Sequence, residues 1–263
     1  MPEDDDVVAQ FFCGRPLLTS AQVALAEDKQ KELFVQWNGA KEGDVVYCGE
    51  RIHVEPGVFP PRADSLVLAQ NMDIVPGDHV LDAGTGTGVL AVIAGIRLGW
   101  NRGSSGGIIA ATDVSEAAIG NAKRNMERFT TIPPSRFRPF ATQGVFPEDR
   151  DLRFDMVVAN LPFRRKQAAE FSQSARMREI QRTMWDLDFA AHNTLLEQGQ
   201  TWLTTKGRML LTVANYPDAR EVMRLIRAHK WKYEVIGLRE FYPCLKDESY
   251  GVPVVVACLR LSR

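Results

Sequence analysis

Residues Val80 to Leu90 read V-L-D-A-G-T-G-T-G-V-L, and no other stretch limits the fold as strongly. A short apolar strand (Val80, Leu81) ends in an acid, Asp82. Gly84, Gly86 and Gly88 follow at alternate positions, with Thr85 between the first two. Val89, Leu90, Val92 and Ile93 then open an apolar helix. A strand–glycine loop–helix unit lets bare backbone approach a ligand, because no Cβ stands in the way. It also aims the free N–H groups of a helix N-terminus at that ligand. Dinucleotide sites space their glycines G-x-G-x-x-G so that a pyrophosphate can pass. The spacing here is G-x-G-x-G behind a carboxylate, which repels a pyrophosphate but can hold an ammonium.

The rest of the chain supplies a doubly wound frame for that loop. Thr19 and Gln22 have capping-box spacing, so a helix is predicted from there towards Trp37, with Leu33, Phe34 and Trp37 on one face and Asn38-Gly39 as its stop. Val45–Cys48 and Arg51–Val54 flank Gly49-Glu50, which reads as a tight hairpin turn. A stiff loop, Pro56 to Arg62, leads to a helix from Ala63 to Met72. Strands are then predicted at Val80–Ala83, Ile108–Thr112, Phe137–Thr142, Phe154–Ala159 and Met209–Val213. Helices are predicted at Val89–Leu98, Glu116–Phe129 and Asp218–His229, and helical segments over about 166–198. Two last strands, Tyr233–Phe241 and Val252–Leu261, have no long helix between them. Alternation implies a parallel α/β sheet, and the final pair implies antiparallel closure. Dehydrogenase sheets lack that ending.

Two further carboxyl ends of strands carry chemistry. Asp113 ends the second strand ~25–30 residues past the loop, where an acid can accept both hydroxyls of a ribose. It can also start the helix after Ser115. The fourth strand ends in Asn160-Leu161-Pro162-Phe163, outside the carboxyl edge where ligands sit. An amide or aryl-amine lone pair is delocalised and weakly nucleophilic. The Asn160 oxygen and a backbone carbonyl can accept its N–H bonds and aim the lone pair at an electrophile, which is orientation plus electrostatic stabilisation. Phe163 can stack on the planar group and favour developing positive charge.

With these residues in view, the loop resembles the S-adenosylmethionine (SAM) loop of class I methyltransferases. The motif Asn160–Phe163 resembles the Asn-Pro-Pro-Tyr/Phe signature of enzymes methylating planar nitrogen. Val45 to Gly88 is similar to the HemK type, the release-factor glutamine methyltransferases and their relatives. Val58-Phe-Pro-Pro-Arg62-Ala-Asp-Ser65 matches that family's I-P-R-P-E-T loop in form, and Asp113–Ile119 with Asn121–Asn125 its second-strand region. The resemblance covers roughly residues 43 to 260. It implies a class I, Rossmann-like, seven-stranded mostly parallel sheet with an antiparallel terminal pair and SAM as cofactor. The implied cofactor contacts are Asp82, Gly84, Thr85, Gly86, Gly88, Asp113, Val114, Gln143, Gly144, Val145, Asn160 and Arg62. Asn160, Pro162 and Phe163 fall at the acceptor. Three departures stand out. Leu161 replaces the first proline. Gln143-Gly144-Val145 stands where an acid near the adenine amine is usual. The N-terminal region is shorter than the helical domain that reads release factors.

The reading is therefore an N-methyltransferase acting on a planar amide or amine of a small molecule or a protein side chain. Residues 1–62 form a helix-and-hairpin extension over the cofactor site, and residues 63–263 the catalytic domain. The alternatives are an RNA or nucleobase methyltransferase, using Arg164, Arg165, Lys166, Arg176, Arg178 and Arg182 against an anion, and a non-catalytic SAM-fold partner subunit. A net charge of -1 argues against a global nucleic-acid field, so the basic run is expected to be a solvated helix with i,i+3 and i,i+4 pairs. The four scattered cysteines read as reduced thiols of a cytoplasmic protein rather than a metal site or disulfides. The acidic start is unlike a signal peptide, no run reaches the ~20 apolar residues of a membrane span, and no histidine has ligand spacing. Trp37, Trp185 and Trp202 are expected as core or domain-packing residues rather than a substrate cage.

Overall fold

The computed structural model describes residues 8–26, 42–103, 106–129, 134–170, 172–174, 178, 181–241 and 254–263. A hairpin comes first, β1 (Gly43–Tyr47) and β2 (Glu50–Val54). Helix α1 (Ala63–Asn71) leads into β3 (His79–Ala83), α2 (Val89–Arg97), β4 (Ile108–Asp113), α3 (Glu116–Phe129), β5 (Phe137–Ala141) and β6 (Phe154–Ala159). Two short strands, β7 (Arg165–Lys166) and β8 (Asp186–Leu187), precede α4 (Ala190–Trp202), β9 (Leu203–Ala214), α5 (Ala219–Ala228), β10 (Lys232–Phe241) and β11 (Val254–Ser262).

The main sheet has seven strands in the order β10-β11-β9-β6-β3-β4-β5. The pairs from β9 through β5 are parallel, and β11 runs antiparallel to both of its neighbours. The closing pair expected from the sequence is therefore present. The central strands are buried on both faces. Leu81, Val157 and Leu211 face one apolar cluster with α4 and α5. Val80, Val158 and Leu210 face the other, with α1 and α2. This explains near-continuous apolar runs instead of alternation. The chain winds to opposite sides of β3, so the crevice lies at its carboxyl end. Ala83 is in register with both Thr112 and Ala159. Gly84, Asp113 and Asn160 consequently leave the sheet at one level.

The N-terminal residues straddle the sheet. Val8, Phe11 and Phe12 are buried in one cluster, with Phe11 edge-on to Tyr233 at 5.1 Å. Leu18, Val23 and Ala26 are buried in the other. The crossing is pinned where Leu18 N donates to Asn215 O at 2.8 Å. Residues 20–26 are helical, and the capping box is present: Thr19 N donates to Gln22 Oε1 (2.9 Å) and Gln22 N to Thr19 Oγ1 (3.3 Å). Leu33, Phe34, Trp37 and Asn38-Gly39 lie outside the described residues.

Three local expectations are corrected. The hairpin turn centres on Cys48 and Gly49, both at positive φ (52° and 86°), one residue earlier than expected; the i+1 position of the turn tolerates this φ even with a Cβ. The span 166–198, expected to hold helical segments, also holds two short strands. Chain leaving the sheet after Phe163 pairs with itself, β7 parallel to β8, and α4 begins only at Ala190. Between these strands, residues 178, 181 and 182 are helical. Strand β9 also begins at Leu203, directly after α4, rather than at Met209.

Candidate active site

The glycine loop is locked to its neighbours by hydrogen bonds. Gly84 N and Thr85 N both donate to Thr112 O at 2.9 Å. Gly86 N donates to Asp113 Oδ2 at 3.0 Å, while Asp113 Oδ1 accepts from Ser115 N at 2.9 Å. Asp113 thus ties the loop and starts α3 together. The three glycines have different surroundings. A Cβ on Gly86 would meet only Phe59 O, 4.0 Å away, so that face is open to a ligand. A Cβ on Gly84 would come within 3.2 Å of Leu161 Cδ2. One on Gly88 would lie 2.7 Å from both Cα and Cβ of Ala122, so Gly88 serves the close packing of α2 on α3.

Asp82 lies beneath the loop, 1% exposed. Its Oδ2 accepts from Thr85 Oγ1 (2.7 Å) and Ala91 N (3.1 Å). Its Oδ1 is buried with no hydrogen-bond partner among the described residues. Burial pushes the carboxyl up to about 7, against the pull of those two hydrogen bonds and with a further push from Asp113. A buried half-satisfied acid below a glycine loop is the electrostatic floor that a cationic ligand above would stabilise.

Above the loop is a cavity of about 550 Å³, within the range of small-molecule sites. Gly84–Thr87, Asp113, Val114, Gly144, Val145, Asn160, Leu161 and Pro162 line it, and Gly57–Pro61 cover it. Val114 is 45% exposed, an apolar side chain offered to a ligand. A smaller chamber of about 70 Å³ adjoins it through Phe59, Asn160, Leu161, Pro162 and Thr183. Arg62, Asp64, Phe163 and Tyr216 belong to this chamber. Gln143 is exposed, and neither it nor Asp82, Gly88 or Arg62 lines the larger cavity. The Arg62 guanidinium sits by Phe59 and Phe241, 5.9 and 5.8 Å from their ring centroids.

The hairpin reaches this site through α3. Asn121 and Asn125, both 0% exposed, substitute for a neighbouring strand. Asn125 Oδ1 accepts from His53 N and Asn121 Oδ1 from Glu55 N, each at 2.8 Å. Their amide groups donate back to His53 O at 2.9 and 2.7 Å, and Asn125 Nδ2 also holds Thr87 O at 2.8 Å. One helix face therefore fixes the hairpin, the covering loop that follows it and the glycine loop.

Three features escaped sequence reasoning, and a fourth stood there only as an alternative. Thr212 donates to Asn160 Oδ1 at 2.6 Å, and its signal was a lone hydroxyl in the apolar run of β9. Asp64 and Ser65 accept from Asn160 Nδ2 at 3.2 and 3.0 Å, and they stood unassigned in the quoted Pro-Arg stretch. Arg178 and Arg182 are helical and exposed, in keeping with the solvated-helix expectation, and they also line the larger cavity. His192 is buried against Asp186, ring Nδ1 to Oδ2 2.8 Å, and Asp186 also caps α4 through Ala191 N and His192 N at 3.0 Å.

A seven-stranded sheet with this antiparallel insertion, a G-x-G-x-G loop over a buried acid and an acid at the second strand end define a class I SAM-dependent methyltransferase. Residues 50–236 match the methyltransferase small domain, and the chain belongs to that family. It is 27% identical over 148 residues to a tRNA1(Val) (adenine(37)-N6)-methyltransferase of Glaesserella parasuis serovar 5, covering 56% of each chain. It is 29% identical over 128 residues to a release factor glutamine methyltransferase of Bacteroides thetaiotaomicron, covering 46% of this chain and 41% of that one. The chain thus spans about half the length of these curated relatives. Among solved structures, SMU.776 complexed with SAH superposes with a TM-score of 0.53 at 15% identity, over 84% of this chain and 56% of that one. SAM is the methyl donor of the class. Among the described residues, no helix is long and apolar enough to cross a membrane.

Proposed function

We propose that this chain transfers a methyl group from SAM to a planar amide or amine nitrogen held at Asn160. The single observation that carries this reading is the position of Asn160. It ends β6 level with the glycine loop and lines both the larger cavity and the adjoining chamber. Bound SAM supplies an electrophilic methyl on a sulfonium. Gly84 to Thr87, Asp113 and Asp82 below them suit its cationic methionine end and ribose. Val114, Gly144 and Val145 suit an adenine. The Asn160 oxygen accepts an acceptor N–H, orienting the nitrogen lone pair. Transfer to that nitrogen would leave the electron pair of the broken S–C bond on the sulfur of SAM, and the methylated nitrogen would release its proton to water. Phe163, on the chamber wall, favours a planar acceptor. No strong base is required, since the proton leaves a nitrogen already made cationic.

Asn160→Ala is expected to leave SAM affinity nearly unchanged and to lower kcat by about 10²–10³, the loss typical of one contact made chiefly in the transition state. The assay is transfer of labelled methyl to a glutamine peptide, adenosine or total tRNA, with calorimetry for SAM. Wild-type turnover in the variant would refute the reading.

A second reading, an RNA acceptor, is favoured by Arg178 and Arg182 on the cavity wall. It requires that tRNA binding weaken with salt, and that Arg178→Ala with Arg182→Ala reduce the slope of log K on log salt by about 2. A wild-type slope near zero excludes it.

A further inference from the structure

The Asn160 amide is held from two sides by three residues on separate elements. Its Nδ2 donates to Asp64 Oδ2 at 3.2 Å and Ser65 Oγ at 3.0 Å, both in the first turn of α1. Its Oδ1 accepts from Thr212 Oγ1 of β9 at 2.6 Å. A carboxylate only accepts hydrogen bonds, so Asp64 allows one orientation of the amide, nitrogen towards α1 and oxygen towards β9. Asp64 is itself fixed, since its Oδ1 accepts from Ser65 N at 2.9 Å. The hairpin buttresses this turn from outside, with Tyr47 Oη donating to Arg62 O at 2.7 Å. Both amide protons of Asn160 are then consumed within the protein. Its carbonyl oxygen keeps a second lone pair.

Resting on the N-methyltransferase reading above, we infer that Asp64 is the positioning residue that sets the polarity of the acceptor site. By holding the Asn160 N–H groups, it makes Asn160 present only an acceptor to the substrate. The site therefore selects a nitrogen that carries at least one N–H. It rejects carboxylates and other groups that bring lone pairs alone, because their oxygens would face the Asn160 oxygen. Ser65 and Thr212 complete the frame.

The pair can be exchanged, which separates positioning from mere structure. Asn160→Asp alone sets two carboxylates at the spacing of the present hydrogen bond. They share a proton at acid pH and repel once both ionise. Asp64→Asn combined with Asn160→Asp restores one donor and one carboxylate, with their places reversed. In melting experiments with S-adenosylhomocysteine bound, Asn160→Asp is expected to lose stability between about pH 5 and 8 relative to the wild type, and the exchanged pair to lose none. In methyl transfer to the three probes above plus a glutamate peptide, Asp64→Ala should lower kcat about ten- to hundredfold at unchanged SAM affinity, the loss of one charge-assisted hydrogen bond. The exchanged pair should recover kcat over Asn160→Asp at pH 8, and the glutamate peptide should accept no methyl. Wild-type kcat in Asp64→Ala, an exchanged pair no better than Asn160→Asp, or methylated glutamate would overturn the inference while leaving the role of Asn160 standing. Full activity in Asn160→Ala removes the underlying reading as well. The melting arm needs no acceptor: parallel pH curves for Asn160→Asp and the wild type would overturn the inference even if no probe is turned over.

Discussion

Replacing Gly88 and Gly86 separately by alanine tests how the glycine loop divides its work. At Gly88 the new Cβ would lie 2.7 Å from Cα and Cβ of Ala122, and φ is +79°. An L residue in the left-handed region costs roughly 1–2 kcal/mol. Forcing a methyl into packed backbone costs about 1–3 kcal/mol more. The sum, roughly 2–5 kcal/mol, is a large share of a typical domain stability of about 5–15 kcal/mol. At ~2–4 °C per kcal/mol for a chain of this size, melting should fall by roughly 5–20 °C. At Gly86 the nearest atom to a Cβ is 4.0 Å away and φ is +52°. Only the backbone cost applies there, about 1–2 kcal/mol, but the methyl enters the cavity wall. Gly86→Ala should therefore melt only roughly 2–8 °C below the wild type and bind SAM poorly. Gly88→Ala should melt far lower yet bind SAM with near wild-type affinity at a temperature where it is folded. Scanning calorimetry and SAM titration measure the two quantities. Equal melting temperatures, or a stable Gly88→Ala that has lost SAM, would refute the reasoning and return Gly88 to the ligand contacts the sequence suggested.

Two more outcomes follow from the same region. Asp82 binds its proton more tightly folded than unfolded, with a folded pKa of about 7 against an ordinary 3.8. Its contribution to stability is thus full below about pH 4 and is lost as pH rises towards 7. Ligand-free wild type should lose stability relative to Asp82→Asn across that window, by at most about 4 kcal/mol; parallel melting curves from pH 4 to 8 would count against a buried half-satisfied acid. Asn125→Ala deletes the acceptor of the part-buried His53 N and the donor to the buried Thr87 O, the latter costing roughly 1–3 kcal/mol when left unpaired. Urea unfolding should show the loss and SAM affinity should drop with it, whereas an effect on stability alone would mean that the hairpin clasp does not steady the glycine loop.

The alternation of strands and helices, the loop Val80–Leu90, and the strand-end positions of Asp113 and Asn160 were legible in the chain. Each is a local pattern: a period, a glycine spacing, or an acid or amide closing an apolar run. Local patterns also carried the antiparallel closing pair, because two strands without a crossover helix have few other ways to join a sheet. What the pattern could not supply was partnership. Gly88 and Gly86 look alike in sequence and differ only because Ala122, about 34 residues away and on another helix, presses on one of them. The fate of the basic run was hidden for the same reason. Charge spacing along one segment does not say that the chain will fold back as β7 and β8 and turn Arg178 and Arg182 towards a cavity. The orientation of Asn160 needed Asp64 and Thr212, which are 96 and 52 residues distant and arrive from opposite sides. Hydrogen bonds act over about 3 Å in space irrespective of separation in sequence, so the chemistry was written in the strand ends, and its polarity was decided by the packing of α1 and β9 around them.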